Sequence, residues 1–311
     1  MRLKPLLTVF LCFFIAVLAS GQSTPQFTQY FFDPLAYNPA IAGSEQGFSG
    51  TIIYRQQWVG FAGAPGTGVV NVHQPIHKLK SGVGLSLMSD QIGNFKFINV
   101  APAYAYKIRS GVNVLSFGIA PSIVSASVTD NWLAVDNKTN DPSIPQGAQR
   151  STSIDFNAGA FYKGGKYFAG LSVNNLLGQR IEQVNLNLTR TLFLLGGYQF
   201  KFSDAIDWTA GFMYRMPLGA GAASQLDLNL SGVIREAFVV GVNYRSKDSF
   251  SPVLGYQKYV ASGKIRIGYA YDYNTSTLRK GNSGSHEIAV NYLYIINRSV
   301  ENEKYKNVRF L

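Results

Sequence analysis

From Lys264 to Tyr273 the chain alternates with a period of two. Ile265, Ile267, Tyr269, Tyr271 and Tyr273 fall on one face of an extended strand, and Lys264, Arg266 and Asp272 on the other. The pattern recurs. Leu226, Leu228 and Leu230 oppose Asp227, Asn229 and Ser231, while Phe238, Val240, Val242 and Tyr244 oppose Gly241, Asn243 and Arg245. Ile288, Val290, Tyr292, Tyr294 and Ile296 likewise oppose Glu287 and Asn291. A soluble sheet also buries an apolar face, but its other face is then wet and rich in charge. Here only 14% of residues are charged.

Counting such runs between turn signals gives about fourteen strands over residues 47–297, many near the ~9–11 residues of a tilted membrane-spanning strand. Lys163-Gly164-Gly165-Lys166 and Arg235-Glu236 read as tight hairpin turns, whereas Thr129–Arg150 reads as a long loop rich in Asn, Asp, Pro and Gln. Short turns at one end and longer loops at the other are the asymmetry of an outer-membrane barrel. In lipid every backbone polar group must be paired, so such a sheet has to close. The 18 Tyr and 21 Phe suffice for aromatic girdles at both interfaces. The expectation is an all-β fold, a transmembrane antiparallel β-barrel of about fourteen strands, with a soluble β-sandwich as the alternative.

The start of the chain supports export. Arg2 and Lys4, the apolar run Leu6–Leu18 and the small residues Ala19, Ser20 and Gly21 make residues 1–21 a secretory leader, with Gln22 as the expected mature start. The run is shorter than the ~20 residues that span a bilayer as a helix, so an N-terminal anchor is the lesser reading. The single cysteine, Cys12, lies in that leader, so the exported chain carries no disulfide. The formal charge of +11 comes from Lys and Arg scattered singly among the strands. No basic block suggests nucleic acid.

Residues 26–66 break the alternation. Asp33-Pro34 and Asn38-Pro39 each place a turn-forming residue before a proline, the first inside the aromatic stretch Phe27–Tyr37 and the second directly after it. The expectation is a segment, residues 22–46, folded back by two turns ahead of a barrel over 47–297 and a tail over 298–311. So aromatic a segment must pack: as a plug in the lumen or periplasmic mouth, or as a docking surface. Tyr30, Asp33, Pro34, Tyr37, Asn38, Pro39, Arg55, Trp58 and Phe310 are the candidates for one role or the other.

Gln26-Phe27-Thr28-Gln29-Tyr30, Pro34-Leu35-Ala36-Tyr37-Asn38-Pro39-Ala40, Gly43, Tyr54-Arg55-Gln56-Gln57-Trp58 and Gly66-Thr67 resemble the PorP/SprF family of the type IX secretion and gliding machinery. The closing Val308-Arg309-Phe310-Leu311 resembles that family's tail more weakly. The resemblance implies an integral outer-membrane protein that helps secrete or anchor surface proteins bearing a type IX C-terminal signal domain. It implies no enzyme, and partners among the periplasmic components of the machine.

Other constellations carry little chemistry. His73 and His77 flank Pro75, but four residues of strand separate them by about 13 Å, too far to share a metal without a sharp turn. The glycine-rich 60–66 stretch lacks the Lys-Ser/Thr of a phosphate loop and reads as a hairpin loop. No cofactor or catalytic apparatus is expected.

By parity Asp155, Asp207, Arg215, Asp227, Arg245, Lys264, Arg266, Asp272 and Glu287 face inward. Such mixed charges either line a diffusion channel for small or apolar solutes or pair across a filled lumen, and the co-occurrence of both signs favours the filled lumen. An even strand count returns both ends of the barrel to the periplasm, where the N-terminal segment and the tail are expected to meet the machine.

Overall fold

The computed structural model describes residues 25–129, 147–181, 184, 186–203, 205–219 and 223–295. The expected leader and the tail, with Phe310, lie outside the described residues. The strands are β1 (Gly47–Gln56), β2 (Gly66–Ile76), β3 (Ser81–Ile92), β4 (Phe95–Ser110), β5 (Asn113–Val128) and β6 (Gln149–Lys163), then β7 (Tyr167–Asn174), β8 (Arg180–Ile181), β9 (Leu186–Asn187) and β10 (Thr191–Ser203). They continue as β11 (Ile206–Pro217), β12 (Gln225–Ile234), β13 (Phe238–Arg245), β14 (Ser249–Val260), β15 (Gly263–Asn274) and β16 (Ser285–Ile295). Fourteen of them form a closed antiparallel barrel in sequence order, sealed where β1 pairs with β16 from Gly47↔Ile295 to Gln56↔His286. β8 and β9 form a separate small hairpin that the alternation did not announce.

Closure sorts the two faces. Ile52, Ile119 and Leu254 are 56%, 61% and 62% exposed, while their strand neighbours Ile53, Ala120 and Val253 are buried. An apolar surface this continuous on the outside of a barrel calls for lipid. The connections at 77–80, 111–112, 164–166, 204–205, 235–237 and 261–262 are all short and share one end; the longer ones at 57–65, 129–148, 175–190, 218–224 and 275–284 share the other with the short turns 93–94 and 246–248. At the Arg235-Glu236 turn both residues take left-handed φ values, 48° and 58°, the twist a tight hairpin requires.

The lumen is occupied by the chain's own segment ahead of β1. Three 3₁₀ turns, Tyr30–Phe32, Pro34–Ala36 and Pro39–Ile41, follow one another there. The same device builds the second and third. Asp33 Oδ1 accepts from Leu35 N at 3.0 Å, Asn38 Oδ1 accepts from Ala40 N at 2.9 Å, and a proline fills the first position of each turn, where no N–H is missed. Phe27, Tyr30, Phe32, Tyr37 and Ile41 pack against wall residues Ile53, Val69, Phe161, Phe193, Leu195 and Met213. The wall is shaved to admit them: a Cβ on Gly118 would collide with the Pro39–Ala40 backbone, and one on Gly82 with Ala42 O.

Of the two plug positions expected, the segment takes the lumen. It is not gathered at the short-turn mouth that holds Gly47 and Ile295. Thr28 meets Asp272 and Glu287 near the long-loop ends of β15 and β16, whereas Gly43 meets Lys107 near the short-turn end of β4. The chain thus runs down the lumen from Pro25 to Gln46 before β1 turns back up.

Candidate functional site: a plugged lumen and its vestibule

Two strands that close the barrel supply the first anchor. Arg55 of β1 and Glu287 of β16 are register partners, and inward parity turns both side chains to the plug. Arg55 Nη1 lies 3.2 Å from Glu287 Oε2 and 2.5 Å from Asp272 Oδ2, and donates to Thr28 Oγ1 at 3.0 Å. The Thr28 hydroxyl donates in turn to Asp272 Oδ1 at 2.8 Å. Thr28 N and Gln29 N donate to the two Glu287 carboxylate oxygens, each at 2.7 Å. One carboxylate therefore satisfies two main-chain donors of the plug and one arginine of the wall, the charge-assisted geometry that is short and strong.

The network continues sideways. Arg245 of β13 donates through Nε to Asp227 of β12 at 2.9 Å, and its Nη1 lies 3.5 Å from Asp248 and 3.9 Å from Asp272. Asp227 and Arg245 are themselves register partners. All of these groups except Asp248 are nearly fully buried. Removing ions from water is costly, and Thr28 and Gln29 supply the Asp272 and Glu287 carboxylates with donors that offset part of that cost.

Lower in the lumen the contacts are neutral or singly charged. Asn38 Nδ2 donates to Ala160 O at 3.0 Å, Ser172 Oγ to Tyr37 O at 2.7 Å, and Asn71 Nδ2 to Asp33 O at 3.2 Å. Arg266 Nη2 reaches Phe32 O at 3.4 Å, with its guanidinium over the Phe32 ring. His73, considered above as a metal ligand, accepts from Gly43 N through Nδ1 at 3.1 Å and faces Asp33 at 3.8 Å. Lys107 donates to Gly43 O. Neither His73 nor Lys107 was assigned to the plug from the sequence; the signal was a lone basic residue at an inward position.

The candidates divide accordingly. Tyr30, Asp33, Tyr37, Asn38, Pro39 and Arg55 are buried inside the barrel, with Pro34 partly so. Tyr37 Oη accepts from Phe27 N at 3.0 Å and donates to Pro25 O at 3.3 Å. Trp58 stands apart, in the β1–β2 loop with φ 48°. Among the inward charges, Asp207 is a correction: it has inward parity but sits at the short-turn rim, exposed and paired with Lys201 at 2.8 Å. Lys264 is half-buried beside the Tyr259 ring at the same end. Asp155 is fully buried and accepts from Leu177 N, Gly178 N and its own neighbour Phe156 N at 2.8, 3.1 and 2.7 Å, tying the 175–190 loop to β6.

Above the plug, a vestibule of about 610 Å³ opens among the long loops. Pro25, Gln26 and Ala36 contribute its floor, and Trp58, Arg215, Asn157, Asn174 and Gln225 are among its walls.

An apolar-coated closed barrel with a lumen filled by its own aromatic segment defines an outer-membrane protein whose interior is occupied rather than open. A family described as type IX secretion system membrane protein PorP/SprF matches residues 19–292. The chain belongs to that family and to the outer membrane. Its fold is similar to that of a FadL homologue from Pseudomonas aeruginosa, with 13% identity, 90% of this chain and 96% of that chain covered, and a TM-score of 0.51. A second similar structure is the Acinetobacter baumannii outer membrane protein Omp33, at 6% identity, 82% and 100% coverage and a TM-score of 0.45. No curated protein sequence matches. With the barrel so placed, its short turns face the periplasm and its vestibule the cell exterior.

Proposed function

We propose that the protein is a non-enzymatic component of the type IX apparatus that binds or anchors a secreted surface protein carrying a type IX C-terminal signal domain. The observation that carries this reading is the plug. A diffusion channel needs a continuous wet path, whereas Phe27–Ala42 packs against the wall through apolar contacts and buried hydrogen bonds. What remains for function is the exterior face, with its recess and long loops, and the periplasmic end that meets the machine. Two measurements decide between anchor and channel. Co-purification of a large surface protein with the tagged barrel, together with blocked planar bilayers, is the expected result. A stable open conductance in the wild-type barrel, without such a protein, would establish the channel instead. The periplasmic contact is tested separately: deleting residues 299–311 lowers recovery of the periplasmic components while the barrel stays heat-modifiable.

A further inference from the structure

Beside β6 the barrel wall has a step. β5 pairs with β6 up to Val128↔Gln149, but β7 pairs with it only from Ala158↔Val173 to Lys163↔Phe168. Among the described residues the upper part of β6 is therefore hydrogen-bonded to a strand on one side alone. The start of the 175–190 loop covers the first residues of that edge, with Leu176 N donating to Phe156 O at 2.9 Å and Asn175 N to Asn157 Oδ1 at 3.0 Å. From Gln149 to Ile154 no strand among the described residues is paired on the side away from β5, although β8 passes close to β6.

The free side of this edge is polar backbone. In an antiparallel strand the N–H and C=O of one residue point the same way, and alternate residues point oppositely. Phe156 O faces Leu176, away from β5, so Ile154, Thr152 and Arg150 direct their groups away from β5 too. β5 agrees: Thr129 N donates to Asn94 O, which places the groups of Ser127 and Ser125, partners of Arg150 and Thr152, toward β4. Three residues thus offer a row of donors and acceptors at two-residue spacing, matched to a strand of about five or six residues.

The edge also rises out of the apolar band at Ile154. The outward apolar band of β4, β5 and β6 ends at Ile98, Ile123 and Ile154; beyond it the outward positions are Lys96, Ser125, Ser127, Thr152 and Arg150. Exposed charges on this wall and its bordering loop are basic among the described residues: Lys96, Arg150, Arg180 and Arg190. Exposed edges are commonly blunted by charge, proline, bulges or a covering loop; Arg150–Ile154 has no proline, bulge or inward charge, and its one charge, Arg150, sits near the rim. We propose that Arg150–Ile154 is an exterior docking edge to which an extended, acidic segment of an exported polypeptide adds as a further strand. Main-chain hydrogen bonds supply the affinity and the basic surround selects for acid. The proposal rests on the cargo-binding function above.

The test uses the whole barrel and, as probe, the purified C-terminal signal domain of a type IX-secreted protein. Adding the domain should slow hydrogen exchange at the amides of Arg150, Thr152 and Ile154 at least about tenfold, and leave Ser151 and Ser153, which already face β5, unchanged. Thr152→Pro removes an outward N–H without touching the β5 ladder, and should weaken binding about tenfold in a barrel that remains heat-modifiable. Arg150→Glu should also weaken it, and less so at high salt; if the proline variant fails to fold, this variant and the wild-type exchange map decide. Binding without protection at the three amides overturns the docking edge and leaves the proposed function standing. Absence of any binding overturns both. Protection that arises on concentrating the barrel alone, with a dimer by light scattering, assigns the edge to a second copy of this chain instead.

Discussion

Arg55 and Glu287 face each other across the strand pair that closes the barrel, and both reach inward to hold Thr28 of the plug. Closure of the wall and seating of the plug therefore share two residues. The seam register sets the carboxylate where two plug N–H groups need it, and the plug fills the space that the two charges would otherwise share with water.

Glu287→Ala should show this coupling. It leaves Thr28 N and Gln29 N without their acceptor and Arg55 short of one counter-ion. Removing one partner of a buried pair costs ~3–5 kcal/mol; the loss here should lie near ~3 kcal/mol, because Asp272 still neutralises Arg55. A lower urea midpoint for unfolding checks the direction, and Glu287→Gln should fall between the variant and the wild type.

Asp227 and Arg245 call for a double-mutant cycle. Arg245→Met strands Asp227, and Asp227→Leu strands Arg245 beside Asp248 and Asp272. Each should destabilise by a few kcal/mol, while the double variant costs less than the sum by about 1–3 kcal/mol. Additive effects in denaturant unfolding would show that the pair does not act as a unit.

Gly118 tests the fit of plug to wall. A valine there drives its side chain into the Pro39–Ala40 backbone, which has no rotamer by which to escape. We expect a barrel that still closes but whose segment 25–46 is cleaved by added protease, against a resistant wild type. The same substitution at Gly93, whose Cβ would meet nothing, controls for exposed-site effects despite its left-handed φ of 55°.

The wall was legible in the sequence because lipid and lumen impose opposite demands on alternate residues, so parity alone recovers the inward set around Asp227, Arg245, Asp272 and Glu287. Turn chemistry was legible for the same local reason: Asp33-Pro34 and Asn38-Pro39 cap their turns as their residue types require. What parity lacks is height along the strand. Asp207 and Asp155 share the inward side, yet one sits at the wet rim and the other fixes a loop deep in the wall. Nor could local pattern tell that the plug descends from the exterior end. That direction is set by contacts more than two hundred residues apart, such as Thr28 with Glu287.

Asp155 yields a separate expectation for the exterior loop. Its carboxylate gathers Leu177 N and Gly178 N, so Asp155→Ala releases two donors at once and unties the loop that walls the vestibule. Faster hydrogen exchange confined to 175–181, with global stability lowered by about 1–3 kcal/mol, is the expected result; unchanged exchange there would show that Ile181 and Val184, packed on Val124 and Val128, hold the loop by themselves.

Deleting residues 25–42 should convert a blocked barrel into a conducting one. The plug's aromatic side chains leave behind a lumen wall that is apolar around Phe193, Leu195 and Met213 and charged around Arg55, Asp272 and Glu287. The apolar patch loses burial of about 1.5–3 kcal/mol per large side chain, and the ions gain water. The closed sheet itself keeps its ladder from β1 to β16, so the product should remain a heat-modifiable barrel of lower thermal midpoint. Planar bilayers should then show steady steps of current that the full chain lacks. Equal conductance from both would mean that ions bypass the plug, and the occupied lumen would no longer separate an anchor from a channel.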